Sequence, residues 1–152
     1  LKVLTNYLAT AHLVALSEAL STVATLGMDL NVAYEAIRVS SGNSFVHETE
    51  SQVILNGSRN IGFTMGLVQK DVGLFSSIAA DAGLELEMAP LLMRVFADGI
   101  ERFGRDEWSP NIIRRLEEAS GLNVRAPGFP PELEDAEPAV LGREVTVNGE
   151  GR

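Results

Sequence analysis

The sequence predicts an all-α domain, a bundle of about six helices led by one long N-terminal helix. Three observations predict it. Residues 1–27 contain no proline and are rich in alanine and leucine, which favours uninterrupted helix. Glycines and capping residues recur at helical intervals, and no convincing run of alternating strand residues appears. At 152 residues the chain is long enough for one domain with its own core, without metal or disulfide staples.

The first helix is expected over 1–27, ended by Gly27 and followed by a cap at Asp29. It is apolar on most sides, the pattern of a helix that runs through the middle of a bundle or is shared between subunits. A second helix is expected over 31–39. The stretch "SSGNS" at 40–44 breaks it and offers a serine cap for a third over 45–56. Gly57 to Gly62 forms a turn, and 64–82 forms a fourth helix closed by Gly83. "LELEMAP" turns the chain again. Helices over 90–103 and 110–120 follow, the last with Pro110 near its start. The helical domain is thus expected to span 1–121. Residues 122–152 read as a proline-rich acidic tail, either loosely packed or a docking arm whose Phe129 and Val145-Thr146-Val147 could enter a groove.

Composition narrows the function classes. The chain has no cysteine, which excludes thiol catalysis and cysteine-ligated zinc and fits a reducing compartment. A formal charge of −9 opposes a nucleic-acid or anionic-membrane surface. The longest uncharged run, Val3 to Ser17, is short for a membrane span and includes Thr5, Asn6, Thr10 and His12. No signal-peptide pattern is present, and an opening on Leu1 in helical character reads as the continuation of a longer chain. These features make a cytoplasmic location the expectation.

Of 12 Lys and Arg residues, only Lys2 and Lys70 are lysines, the cation whose proton its surroundings can move. On a helical wheel Asp71 falls inside an apolar arc with Leu67, Val68, Val72, Leu74, Phe75 and Ile78. Lys70 sits at the edge of that arc beside Gly66, Gly73 and Ser77, where missing side chains would admit another backbone or a ligand. A carboxylate in an apolar arc needs donors. Asp71 is therefore either a satisfied core aspartate that locks helices together or a ligand contact, and Lys70 either snorkels or faces a ligand. Lys2 and Asn6 are four apart and share a helical face. The pair suits an acid/base group with an orienting amide, or a solvated lysine at a helix start. His12 reads as a packed or interface histidine, and His47 as a more accessible one without an acidic orienter.

Taken together, "KVLTN", "SEAL", "LGMDLNVAYEAI", "SSGNS", the Gly62-Phe63 pair and "QKDVG" resemble, in order and spacing, the C-terminal helical half of the β-hydroxyacid dehydrogenase family. That family includes 3-hydroxyisobutyrate dehydrogenases, tartronate semialdehyde reductases and relatives of 6-phosphogluconate dehydrogenase. The resemblance runs over about 1–120 and implies the fold of the 6-phosphogluconate dehydrogenase C-terminal domain. It implies that Lys2 is the catalytic general acid/base, with Asn6 orienting substrate. Lys70 would reach the nicotinamide cofactor or the substrate edge, and Asp71, Phe63, Ser41 and Gly42 would line or organise the substrate pocket. Oxidising a secondary alcohol removes a hydride and the hydroxyl proton together, and a lysine with a lowered pKa can take that proton.

Thr5 stands where the family motif has its first asparagine, and no Gly-x-Gly-x-x-Gly unit is present. The family places the dinucleotide-binding domain before the lysine. NAD or NADP would thus be held mainly outside this chain, which is expected to be inactive alone. The implied substrate is a small hydroxy acid or its semialdehyde or keto form. A catalytically silent helical interaction module of the same fold is the alternative, and it expects Lys2 and Lys70 to face separate solvent surfaces. A helical ligand-binding domain without dehydrogenase ancestry is a third reading. The apolar first helix makes a homodimer the expected assembly.

Overall fold

The computed structural model describes residues 1–133. Six α-helices make up the described chain: α1 Lys2–Thr25, α2 Leu30–Arg38, α3 Phe45–Asn56, α4 Met65–Asp81, α5 Met88–Phe103 and α6 Arg114–Ser120, the last preceded by a 3-10 helix at Ser109–Ile113. No named strand occurs among the described residues. Local chemistry sets several ends. Asp29 accepts from the backbone N–H groups of Asn31 and Val32 at 2.7 and 3.3 Å. Ser44 caps α3 through His47 N at 3.0 Å, and Thr64 caps α4 through Leu67 N at 3.2 Å. Gly57 stops α3 at φ 89°, a left-handed geometry glycine adopts without strain.

Two expected helices differ. The fifth starts at Met88 rather than 90, because Pro90 fits the first turn, where no N–H donor is needed. The span 110–120 is divided: Pro110 opens a 3-10 helix and only Arg114–Ser120 is α-helical.

Helix α1 runs through the centre and packs against every other helix. It is long and apolar enough to cross a bilayer by length and composition. Its buried face, however, carries Leu13, Leu16 and Leu20 into the core. Two of its buried hydroxyls are met within the helix, Thr10 donating to Asn6 O and Ser17 to Leu13 O, each at 2.8 Å, the i−4 pattern that lets Ser and Thr occupy a helix interior, while the buried Ser21 Oγ has no partner among the described residues. Around it Ile54, Met65, Val72, Leu92, Phe96 and Ile113 complete the core.

A short antiparallel bridge between Thr64 and Trp108 straps the start of α4 to the loop after α5. Met65 N and Gly66 N donate to Glu107 O and Arg105 O at 2.8 and 2.9 Å, and Ser109 N donates to Phe63 O at 2.8 Å. The chain beyond α6 also docks. Val124 is buried in the core, its N–H held by Glu117 Oε1 at 2.8 Å, and Ala126 N donates to Leu55 O at 3.1 Å. Phe129 meets the Tyr34 ring edge-on at 5.0 Å. The Val145-Thr146-Val147 segment lies outside the described residues.

Candidate functional site

Helices α1 and α4 pack along each other, and their meeting brings distant motif residues together. Asn6, in the second turn of α1, donates from Nδ2 to Asp71 Oδ2 at 2.6 Å. Asp71 is buried on α4, so this amide supplies the donor that a carboxylate in an apolar arc requires. On its other side the Lys70 ammonium lies 3.5 Å from Asp71 Oδ1, with 63% of the Lys70 side chain exposed. Solvent screens that pair, so its net contribution to stability is small. One residue further along α1, Tyr7 stacks on Phe75 with ring centroids 4.2 Å apart. Stack and hydrogen bond together set the register of the two helices.

Lys2 is exposed, one turn before Asn6 on the same stripe of α1, about 6 Å along the axis. Thr5 turns its hydroxyl back to Lys2 O at 2.8 Å, so that hydroxyl is occupied by the helix backbone. The structure therefore gathers Asn6, Lys70 and Asp71 directly and places Lys2 a turn away. Ser41 and Gly42 lie elsewhere, in the α2–α3 connection, lining a cavity of about 400 Å³ with His12 and His47. Phe63 is partly buried against the core beside the Thr64–Trp108 bridge.

The glycines of α4 admit protein rather than leave a void. A methyl group at Gly66 would lie 2.7 Å from Arg105 Cγ and 3.1 Å from Arg105 O, and one at Gly73 would lie 3.7 Å from Met93 Cε. The apolar arc is also only partly covered, since Leu74 and Ile78 are about half exposed.

The packed environment belongs to His47, expected to be the more accessible of the two histidines, and not to His12. His12 is exposed, whereas His47 is 1% exposed. Its Nε2 lies 2.9 Å from Tyr34 O, and its Nδ1 lies 2.8 Å from Ser51 Oγ. A carbonyl can only accept, so Nε2 carries the proton and Nδ1 accepts from the serine. Desolvation by burial holds the His47 pKa below the usual histidine value. Sequence reasoning also missed Glu50, whose carboxyl burial pushes up to about 8. Glu50 stands four residues after Val46 and four before Ile54, both buried on α3, a helical spacing as legible as that of Asp71.

A family model described as "NAD-binding of NADP-dependent 3-hydroxyisobutyrate dehydrogenase" matches residues 1–116. The chain belongs to this family. Among curated relatives, the L-threonate dehydrogenase of Escherichia coli strain K12 is 26% identical over 112 residues, covering 73% of this chain and 37% of the relative. That of Haemophilus influenzae is 24% identical over the same coverage. A crystal structure of 3-hydroxyisobutyrate dehydrogenase from Salmonella typhimurium superposes with TM-score 0.70 at 24% identity, over 75% of this chain and 40% of that one. The Mycobacterium tuberculosis 3-hydroxyisobutyrate dehydrogenase with L-serine gives TM-score 0.67 at 22% identity, over 76% and 42%. These likenesses establish the helical dehydrogenase-domain fold, and the chain spans roughly two fifths of each relative. Ancestry outside the β-hydroxyacid dehydrogenase family is thereby set aside.

Proposed function

We propose that this chain supplies the helical substrate and dimerisation half of an NAD- or NADP-dependent β-hydroxyacid dehydrogenase acting on a small hydroxy acid. The observation that carries the reading is the 2.6 Å bond from Asn6 to Asp71 with the Lys70 ammonium beside it. It unites the two motif stretches, 65 residues apart, at which the family resemblance places the chemistry.

In this reading Lys2 removes the hydroxyl proton during oxidation and returns it during reduction. Asn6, held by Asp71, orients the substrate one turn away. Asp71 fixes the amide and the α1–α4 register rather than exchanging protons itself. In this reading Phe63 and the separate cavity wall at Ser41 and Gly42 shape the substrate's surroundings from outside the Asn6–Lys70–Asp71 group. Among the described residues no glycine-rich strand-turn-helix unit is available to cradle a dinucleotide. What fits the cofactor here is one edge contact, the exposed Lys70 ammonium. A bound nicotinamide supplies the hydride acceptor or donor. Relatives named for L-threonate and 3-hydroxyisobutyrate direct the substrate choice to short hydroxy acids.

A homodimer in a cytoplasmic setting belongs to the same reading, supported by exposed Leu4, Leu8, Leu74 and Ile78 on helices with unspent apolar surface and by the absence of cysteine. The exposure of Lys2 favours one second reading, a silent interaction module of the same fold.

Joining residues 1–152 to the dinucleotide-binding half of the Escherichia coli relative separates the two. The dehydrogenase reading expects NAD(P)H formation from L-threonate or 3-hydroxyisobutyrate, reduced about 10²–10⁴-fold by Lys2→Ala. It also expects Lys70→Ala to raise the cofactor KM more than it lowers kcat. A folded chimera that binds nucleotide yet transfers no hydride supports the silent module.

A further inference from the structure

Helix α1 is apolar along its length, and Lys2 and Glu18 are its charged residues. It packs against every other helix, yet only 33% of its most apolar 18-residue stretch is buried. The uncovered part forms a regular seam. Positions 1, 5, 8, 12, 15, 19, 22 and 26 run alternately four and three apart, and all are exposed. None is Asp, Glu, Lys or Arg. An average spacing of about 3.5 residues keeps one face turned toward a partner helix over the whole length. Leu1, Leu8 and Leu26 are its large apolar members.

Charge and shape select the occupant. The chain has a formal charge of −9, so two copies repel wherever their acidic surfaces meet, and a charge-free seam is where a second copy approaches without that cost. Opposed antiparallel about a two-fold axis between His12 and Ala15, the seam is complementary to itself. Leu8 then meets the partner's Ala19 and His12 meets the partner's Ala15, a bulky side chain facing a small one each time. A parallel pair would set alanine on alanine, leaving a gap, and would align the two helix dipoles. The 24 residues of α1 span about 36 Å. Hollows of about 400 and 550 Å³ lie beside the helix, the first walled also by the α2–α3 connection and the second by α6. With their mouths the strip is about 20 Å wide, or roughly 700 Å², close to the ~800 Å² that each partner gives to a stable interface. We propose that two copies of this chain pair antiparallel along α1. His12 of each copy then closes the mouth of the other's cavity of about 400 Å³, whose far wall is Ser41 and Gly42. This pairing rests on the dimerisation half of the proposed function and not on its chemistry.

The chain contains no cysteine, so introduced thiols report the geometry. Leu8→Cys and Ala19→Cys versions of the 152-residue chain are mixed, oxidised mildly and mapped by mass spectrometry. The expected product is a disulfide between positions 8 and 19 of different chains. Like positions lie about 16 Å apart along the antiparallel axis, beyond disulfide reach. Light scattering at micromolar concentration is expected to show a particle of two 16.3 kDa chains. Ala19→Arg, which puts an unpaired charge in the seam, is expected to weaken the pair at least about tenfold. Ile78→Arg, at an exposed apolar position of α4 off the seam, is expected to leave it intact. The cysteine pair keeps the test open if Ala19→Arg folds poorly. A dimer without the 8–19 disulfide overturns the α1 pairing and leaves dimerisation standing. So does a dimer that Ile78→Arg breaks and a folded Ala19→Arg does not. A monomer overturns both: one that floats with neutral phosphatidylcholine vesicles gives the seam to lipid, and one that stays in solution gives it to the dinucleotide-binding half.

Discussion

Asn6 of α1 and Asp71 of α4 form a 2.6 Å hydrogen bond at the packed face of the two helices. Removing the amide leaves a buried carboxylate short of a donor. Asn6→Ala is accordingly expected to lower stability by about 1–3 kcal/mol. Asn6→Asp should cost more at neutral pH, because it sets two carboxylates against each other, and its excess cost should shrink in acid as the pair takes up a proton. Urea unfolding of both variants at two pH values checks this; equal costs at neutral pH would show that the pair is not in contact.

Glu50 should make the protein lose stability as pH rises. Burial raises its folded-state pKa to about 8 from an ordinary value of 4.5, so the native state binds the proton more tightly than the unfolded chain. Stability is full below the unfolded value, falls between about pH 4.5 and 8, and levels off above. The total is roughly 3–5 kcal/mol. Thermal or urea melts across that window should show the slope, and Glu50→Gln should flatten it.

His47 should act in the opposite sense at lower pH. Burial depresses its folded pKa, so below about pH 6.5 the unfolded chain binds the proton more readily. Stability should therefore fall as pH drops from 6.5 toward the depressed folded value. His47→Gln, compared with the parent across pH 4 to 7, should remove this limb. A parent protein whose unfolding midpoint does not respond there would place His47 in a solvated site.

Arg59 and Glu117 form a buried ion pair at 2.8 Å, and Glu117 also accepts from Val124 N. Breaking one partner leaves the other charge buried. Glu117→Ala should cost about 3–5 kcal/mol, and replacing both residues by apolar ones should cost less than the two single changes combined. A double-mutant cycle on unfolding free energies measures the difference.

Glycines on α4 should respond unequally to alanine. At Gly66 the added methyl would press on Arg105, whose carbonyl accepts from Gly66 N, so Gly66→Ala should destabilise by about 1–3 kcal/mol. At Gly73 the nearest atom is at ordinary contact distance, so Gly73→Ala should stabilise by about 0.5–1 kcal/mol through helix propensity. Equal responses would refute the view that Gly66 is there for the approach of the 104–108 loop.

What the sequence alone determined was local. Asp29, Ser44, Gly57, Gly83 and Gly121 end or begin helices near their expected places, because caps and left-handed turns act over a few residues. The burial of Asp71 was equally readable from its place in the apolar arc. Only the tertiary structure decided which neighbours cover each face. It gave Asp71 its partner in Asn6, spent the space at Gly66 on Arg105, left Leu74 and Ile78 uncovered, and sealed His47 while exposing His12. Helical periodicity says which side chains point together. The partner they meet depends on how the helices cross, and that is settled by packing between segments far apart in the chain.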